Sequence, residues 1–248
     1  NGQRLELSLS ESHIKKKDFD GLLEFLRSEG ATIMHEDKSQ SYETYHARWQ
    51  GPNGDTLTIK SFINGTVQFQ GKHLHLASLV WDYLYNVLSL ADVILKQSKT
   101  YKINVTVDEI KSELEGKIPI SHQFLEDTVR KQLSSALMLY KISMPLEDYS
   151  AVAFPALRGL EGFIKQIILK SGLNPTDKSN IGEYFKREVV GKYVLLKVNA
   201  DHVGDTFSNI LAKSYNFYVK QRHGIFHMDT SVETSRILGS IEDARRII

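Results

Sequence analysis

At 248 residues with 41% hydrophobic content, the chain has apolar material for one large core or two modest ones, and two domains are expected. Its 31 Lys+Arg against 30 Asp+Glu leave a net charge of +1, which excludes a strongly basic nucleic-acid wrapper and confines any RNA contact to a local patch. The absence of cysteine excludes a disulfide framework and thiolate metal sites, and no apolar run approaches the length of a membrane span. A soluble, cytoplasmic protein without membrane association or cofactor is expected. The chain opens on Asn1 without an apolar leader, and its lack of an initiator methionine suggests a processed product or a fragment of a longer protein.

In residues 18–29, Phe19, Leu22, Leu23, Phe25 and Leu26 follow a helical period, with Asp18 as cap and Gly30 as stop. Strands are predicted over 31–36, 42–49, 56–62 and 66–70, separated by Gly51-Pro52-Asn53-Gly54 and by the tight hairpin signal Asn64-Gly65. One long apolar helix over 76–96 closes this unit, giving an antiparallel sheet packed on helices. Tyr42, Tyr45, Trp49, Phe62 and Phe69 fall on the strands. Aromatics on a sheet can stack bases, but they suit strands in any case and no basic run accompanies them, so a core role is expected. His73 and His75 lack an identifiable third metal ligand and are expected at the surface, with His13, His35, His46, His122 and His202.

The helical period lapses over 97–108, which divides the chain into domains 1–98 and 99–248. Helices are expected over 107–114, over 124–140, over 156–170 opened by Pro155 and closed by Gly172, over 207–221, and over 232–247. Amphipathic helices with connections of varying length argue for a bundle.

Two stretches carry charges at suggestive spacing. Arg158 and Glu161 are three apart and emerge on one helix face; from spacing alone they are an exposed ion pair. Arg222 precedes His227 by five positions, and Gly224 between them is a natural place for the helix to stop or bend, so that guanidinium and imidazole could converge. From spacing alone these are cations at the negative end of a helix.

The run Phe154-Pro155-Ala156-Leu157-Arg158-Gly159-Leu160-Glu161-Gly162, then Ile181-Gly182-Glu183-Tyr184-Phe185, then Arg222-His223-Gly224-Ile225-Phe226-His227-Met228-Asp229-Thr230 with Arg236 to follow, resembles in order and spacing the C-terminal half of RnlA-type (RNase LS) toxins of the HEPN superfamily. The resemblance covers residues 100–248 well and the N-terminal part more loosely. It implies a TBP-like repeat followed by an all-α HEPN four-helix bundle, and a type II toxin that degrades mRNA in anti-phage defence. It also implies a cognate antitoxin, a phage-encoded antitoxin in relatives, and a homodimer through the HEPN domain. The implied catalytic residues are Arg158, Glu161, Arg222 and His227, with His223 and Lys220 as second-tier substrate contacts. Two departures stand out. Asp229 occupies the place of a tyrosine that is modified in many related toxins, and the chain is expected to be a fragment or shortened relative that lacks a further N-terminal domain of the family.

The implied chemistry needs no metal. RNA supplies its own nucleophile in the 2′-hydroxyl, so cleavage requires a proton acceptor, a donor to the leaving 5′-oxygen, and cations on the phosphorane. His227 titrates near neutrality and Arg222 can grip two phosphate oxygens. Glu161 either orients His227 or carries the second proton; Arg158 either neutralises Glu161 or touches phosphate. A catalytically silent RNA- or protein-binding module is the alternative, and a metal-dependent nuclease using Asp229 and Glu233 is disfavoured as half a two-metal site.

Overall fold

A computed structural model describes residues 4–10, 12–36, 39–50, 54–173, 180–226 and 238–248. The chain is α+β, an N-terminal antiparallel sheet followed by helices. Strands β1 (Arg4–Leu9), β2 (Thr32–Glu36), β3 (Tyr42–Arg48), β4 (Thr56–Phe62) and β5 (Val67–Lys72) form one sheet in the order β1-β5-β4-β3-β2. Its first strand was not anticipated, although Leu5, Leu7 and Leu9 alternate with polar residues and are buried. Leu7, Phe69, Ile59 and Tyr45 line up across four strands on the inner face, which packs on α1 (Lys16–Ser28) and α2 (His75–Val87).

The single helix expected over 76–96 is two helices, α2 and α3 (Leu90–Thr100). Leu88 is extended, and the Ser89 side chain accepts the Asp92 N–H at 3.1 Å, so a new helix starts at a serine cap. His73 is not a surface residue: it is 4% exposed and its ring lies 4.8 Å from that of Tyr101. Burial holds its pKa down at about 4, so it is neutral.

Helices α4 (Val107–Lys117), α5 (Asp127–Leu139) and α6 (Ser150–Lys170) follow. Helix α6 begins five residues before Pro155, so the proline lies inside its first turns rather than opening it. Its packing on α5 is close at Gly159 and Gly162, where an added Cβ would lie 2.7 Å from Leu133 and 2.9 Å from Val129. A hairpin of β6 (Phe185–Val189) and β7 (Lys192–Leu195), unanticipated, leads through α7 (Lys197–Val203) into α8 (Asp205–Phe226). Phe185 stacks on Tyr215 with ring centroids 4.0 Å apart, and the Asn216 amide donates to the Tyr193 carbonyl at 2.7 Å, so the hairpin is pinned to α8. Of the helix expected over 232–247, residues 232–237 lie outside the described residues, and the rest supplies only the short α9 (Ile241–Arg245).

Helix α6 is shared between two cores. Val152, Ala153, Phe154 and Leu157 join the core of the sheet, whereas Ile164 and Ile168 join a second core with Ile181, Leu211, Tyr215 and Tyr218. Arg158 and Glu161 therefore sit at the seam between the two.

Candidate active site

The seam is polar because α6 turns two charged side chains toward neighbours it cannot cover with apolar groups. Glu161 is 7% exposed, and such a carboxylate must be compensated. Arg158 NH1 donates to its Oε2 at 2.9 Å, and Lys165, one turn on, lies 3.1 Å from its Oε1. From α8, the Tyr218 hydroxyl and the Arg222 charge act on the same carboxyl. Burial by itself would raise the Glu161 pKa, but Arg158, Lys165, Tyr218 and Arg222 together hold it well below the ordinary range, at about 2. Glu161 is thus an anion at neutral pH. Tyr218 moves the other way: its buried hydroxyl is shifted up, first by burial and then by the Glu161 charge. That hydroxyl has no partner at full hydrogen-bond geometry among the described residues. The Arg222 guanidinium carbon lies 5.6 Å from the Tyr218 ring centroid.

Three residues of this cluster, Lys165, Tyr218 and Asp82, were missed in the sequence. Asp82 of α2 is 5% exposed and accepts Arg158 Nε at 2.8 Å, together with a second, short bond from NH2. Gln132 of α5 donates to its other oxygen at 3.2 Å. The guanidinium is thereby divided between Asp82 and Glu161, and its pKa is raised: burial opposes the charge, and the two carboxylates more than offset it. The available signal was a lone acid inside the apolar run Leu79-Val80-Trp81-Asp82-Tyr83-Leu84.

The structure thus brings Arg158, Glu161 and Arg222 together from two helices. Helix α8 does not stop at Gly224; it runs on to Phe226. His227 lies outside the described residues, as do the side chain of His223 and the residues Asp229 and Glu233. Lys220 is exposed on α8, two residues before Arg222. Among the described residues no helix is long and apolar enough to cross a membrane.

Comparison with known proteins gives concordant matches along the chain. Residues 106–229 match the family described as "RNase LS, bacterial toxin DBD domain", and residues 6–89 match "RNase LS, bacterial toxin". The chain is 33% identical over 225 residues to the mRNA endoribonuclease LsoA of Escherichia coli O157:H7, covering 91% of this chain and 64% of that protein. It is 27% identical over 244 residues to the mRNA endoribonuclease toxin LS of Escherichia coli strain K12, covering 96% and 62%. The chain therefore spans less than two thirds of the length of these curated relatives. The crystal structure of Escherichia coli toxin LsoA in complex with T4 phage antitoxin Dmd is similar with a TM-score of 0.57 and 30% identity, over 99% of this chain and 96% of that one. Family matches over both halves and a solved relative similar over 99% of the chain lead to one conclusion: the chain belongs to the RNase LS bacterial toxin family.

Proposed function

We propose that this chain is the endoribonuclease of a toxin–antitoxin system, cleaving mRNA without a metal ion. The observation that carries the reading is the convergence of Arg158, Glu161, Tyr218 and Arg222, from two helices, around one buried carboxylate. In this reading residues 1–98 are a TBP-like repeat and residues 99–248 a HEPN ribonuclease domain. The naming of the relatives as mRNA endoribonucleases supports the substrate, and the Dmd complex of LsoA supports an antitoxin, cognate or phage-encoded, as partner. The protein acts in the bacterial cytoplasm.

In this reading the labour is divided among the site residues. Glu161, already ionised and enclosed, does not carry the second proton; it orients the imidazole of His227 and fixes Tyr218. Arg158, with Nε and NH2 on Asp82 and NH1 on Glu161, neutralises rather than binds phosphate. Arg222 is the phosphate grip and His227 the proton carrier, with His223 and Lys220 as outer RNA contacts. The products are a 2′,3′-cyclic phosphate and a 5′-hydroxyl.

One catalytic histidine per chain does not provide both an acid and a base, so two protomers meet at a composite site formed by their HEPN domains. Activity per chain should rise in step with the dimer fraction as concentration is raised through the monomer–dimer equilibrium. A monomer that cleaves at full rate overturns the composite site. The occupied state of Arg158 is the one observation favouring a silent module, since an arginine saturated by two carboxylates is also a structural tie.

A further inference from the structure

The sheet has a second face, and the five strand aromatics are not all in the core. Tyr45 and Phe69 point inward, whereas Tyr42 and Phe62 pair across β3 and β4 on the opposite parity. Two rows lie beside them on that outer face: Ser8, Gln68, Lys60, Thr44 and Glu36, then Glu6, Gln70, Thr58, His46 and Met34. Both rows are polar from β1 to β3, as befits the side of an antiparallel sheet turned away from the core, and the exposed Met34 on the edge strand β2 is the exception.

Three features on this face belong to one kind of ligand. The Tyr42 and Phe62 rings, half-buried, lie with centroids 5.2 Å apart and planes tilted by 47°. Lys60 Nζ lies over the Tyr42 ring, 5.0 Å from its centroid, so a cation caps one face of that ring and a base would stack on the other or displace it. At the far edge, Lys96 and Lys99 of α3 border a cleft of about 330 Å³ whose floor includes Glu6, Ser8, Gln68 and Gln70. From β3 to β1 is three strand spacings, about 14 Å, the span of a short run of nucleotides rather than of one base. Cations at both ends, amide and hydroxyl groups between them and paired aromatics at one end match an unpaired nucleic-acid strand: phosphates, base edges and base faces respectively.

We propose that the outer face of the sheet is a platform for single-stranded RNA, with bases stacked on Tyr42 and Phe62 and the phosphate backbone passing Lys60 toward Lys96 and Lys99. The platform deepens the ribonuclease reading and rests on it for the choice of RNA. It delivers unpaired segments of a long substrate to an enzyme whose overall charge is too small to attract RNA by itself. A local patch is the only form of attraction open to such a chain.

The test uses the full chain carrying His227→Ala, to prevent cleavage, and a fluorescein-labelled, unstructured 12-nucleotide RNA, with anisotropy read across a salt series. Adding Tyr42→Ala and Phe62→Ala should weaken binding roughly ten- to hundredfold, and Lys60→Gln should reduce the slope of log affinity against log salt by about one. Variants that are folded by circular dichroism yet bind within twofold of the parent, with an unchanged slope, overturn the platform. Loss of antitoxin binding with RNA affinity intact also overturns it. Cleavage by the unsubstituted chain, followed in parallel, separates the two readings. Cleavage with face variants that still bind RNA normally removes the platform alone, whereas RNA binding that depends on the face in a chain that never cleaves removes the ribonuclease alone.

Discussion

Arg158 reaches back 76 residues in sequence to Asp82, with Nε donating to the carboxylate at 2.8 Å, while its NH1 donates to Glu161 at 2.9 Å. One guanidinium therefore ties the helix that closes the sheet to the helix that carries the site. Asp82→Ala should leave a half-buried cation half-compensated and cost up to about 3 kcal/mol, with nuclease activity falling alongside. Asp82→Asn, which keeps an acceptor, should cost less. Urea unfolding and RNA cleavage on the same preparations check both, and an Asp82→Ala protein as stable and active as its parent would remove Asp82 from the account.

Glu161 makes stability depend on pH in a definite direction. Its carboxyl titrates at about 2 in the folded chain against an ordinary 4.5, so the unfolded state takes up the proton first as pH falls. The stabilisation is complete above about pH 4.5 and is lost between there and pH 2. Glu161→Gln should flatten melting temperature against pH across that window. It should also abolish most cleavage at neutral pH. A slope identical to that of the parent contradicts the charge network.

His73 acts in a different window with its own sign. Burial depresses its pKa from 6.5 to about 4, so the unfolded chain binds a proton that the folded chain refuses. Stability contributed by the neutral ring is intact above pH 6.5 and drains away as pH falls toward 4. Compared with His73→Leu, the parent should lose stability more steeply across that interval in pH-resolved thermal melts.

The close approach of α5 and α6 is sterically set. A methyl at Gly159 would meet Leu133 at 2.7 Å, so Gly159→Ala should destabilise the chain by about 1–3 kcal/mol through overpacking. Because Arg158 precedes it directly, displacement of α6 should also lower activity. The second substitution Leu133→Ala relieves the contact, and partial recovery of activity in the double variant measures how much of the loss was positional.

Much of this architecture was legible. The period-two and period-3.6 patterns located α1 and four of the five main strands, and the charged motifs pointed to the helices that form the seam. What escaped has physical causes. The α2–α3 break depends on Ser89 with Asp92 three residues later, a capping signal hidden in an otherwise continuous apolar run. Gly224 carries a propensity cost of only about 1 kcal/mol, which did not end α8. Asp82 could not be joined to Arg158 without the fold, because no local pattern encodes a contact across 76 residues. The strand aromatics were assigned to the core as a class, whereas residue parity on each strand, once the register is known, sends Tyr42 and Phe62 to the other face.

The central claim is that Arg222 and His227 complete, beside the Glu161 carboxylate, a site that cuts RNA by its own side chains. The direct measurement is cleavage of a long RNA by the purified chain in excess EDTA, with end-group analysis, for the parent and for Arg222→Ala and His227→Ala. The account predicts EDTA-resistant cleavage leaving 2′,3′-cyclic phosphate ends, and at least a hundredfold loss in each variant, the scale of a single proton-transfer or oxyanion group. Cleavage that requires magnesium, or that survives at full rate in either variant, would contradict it.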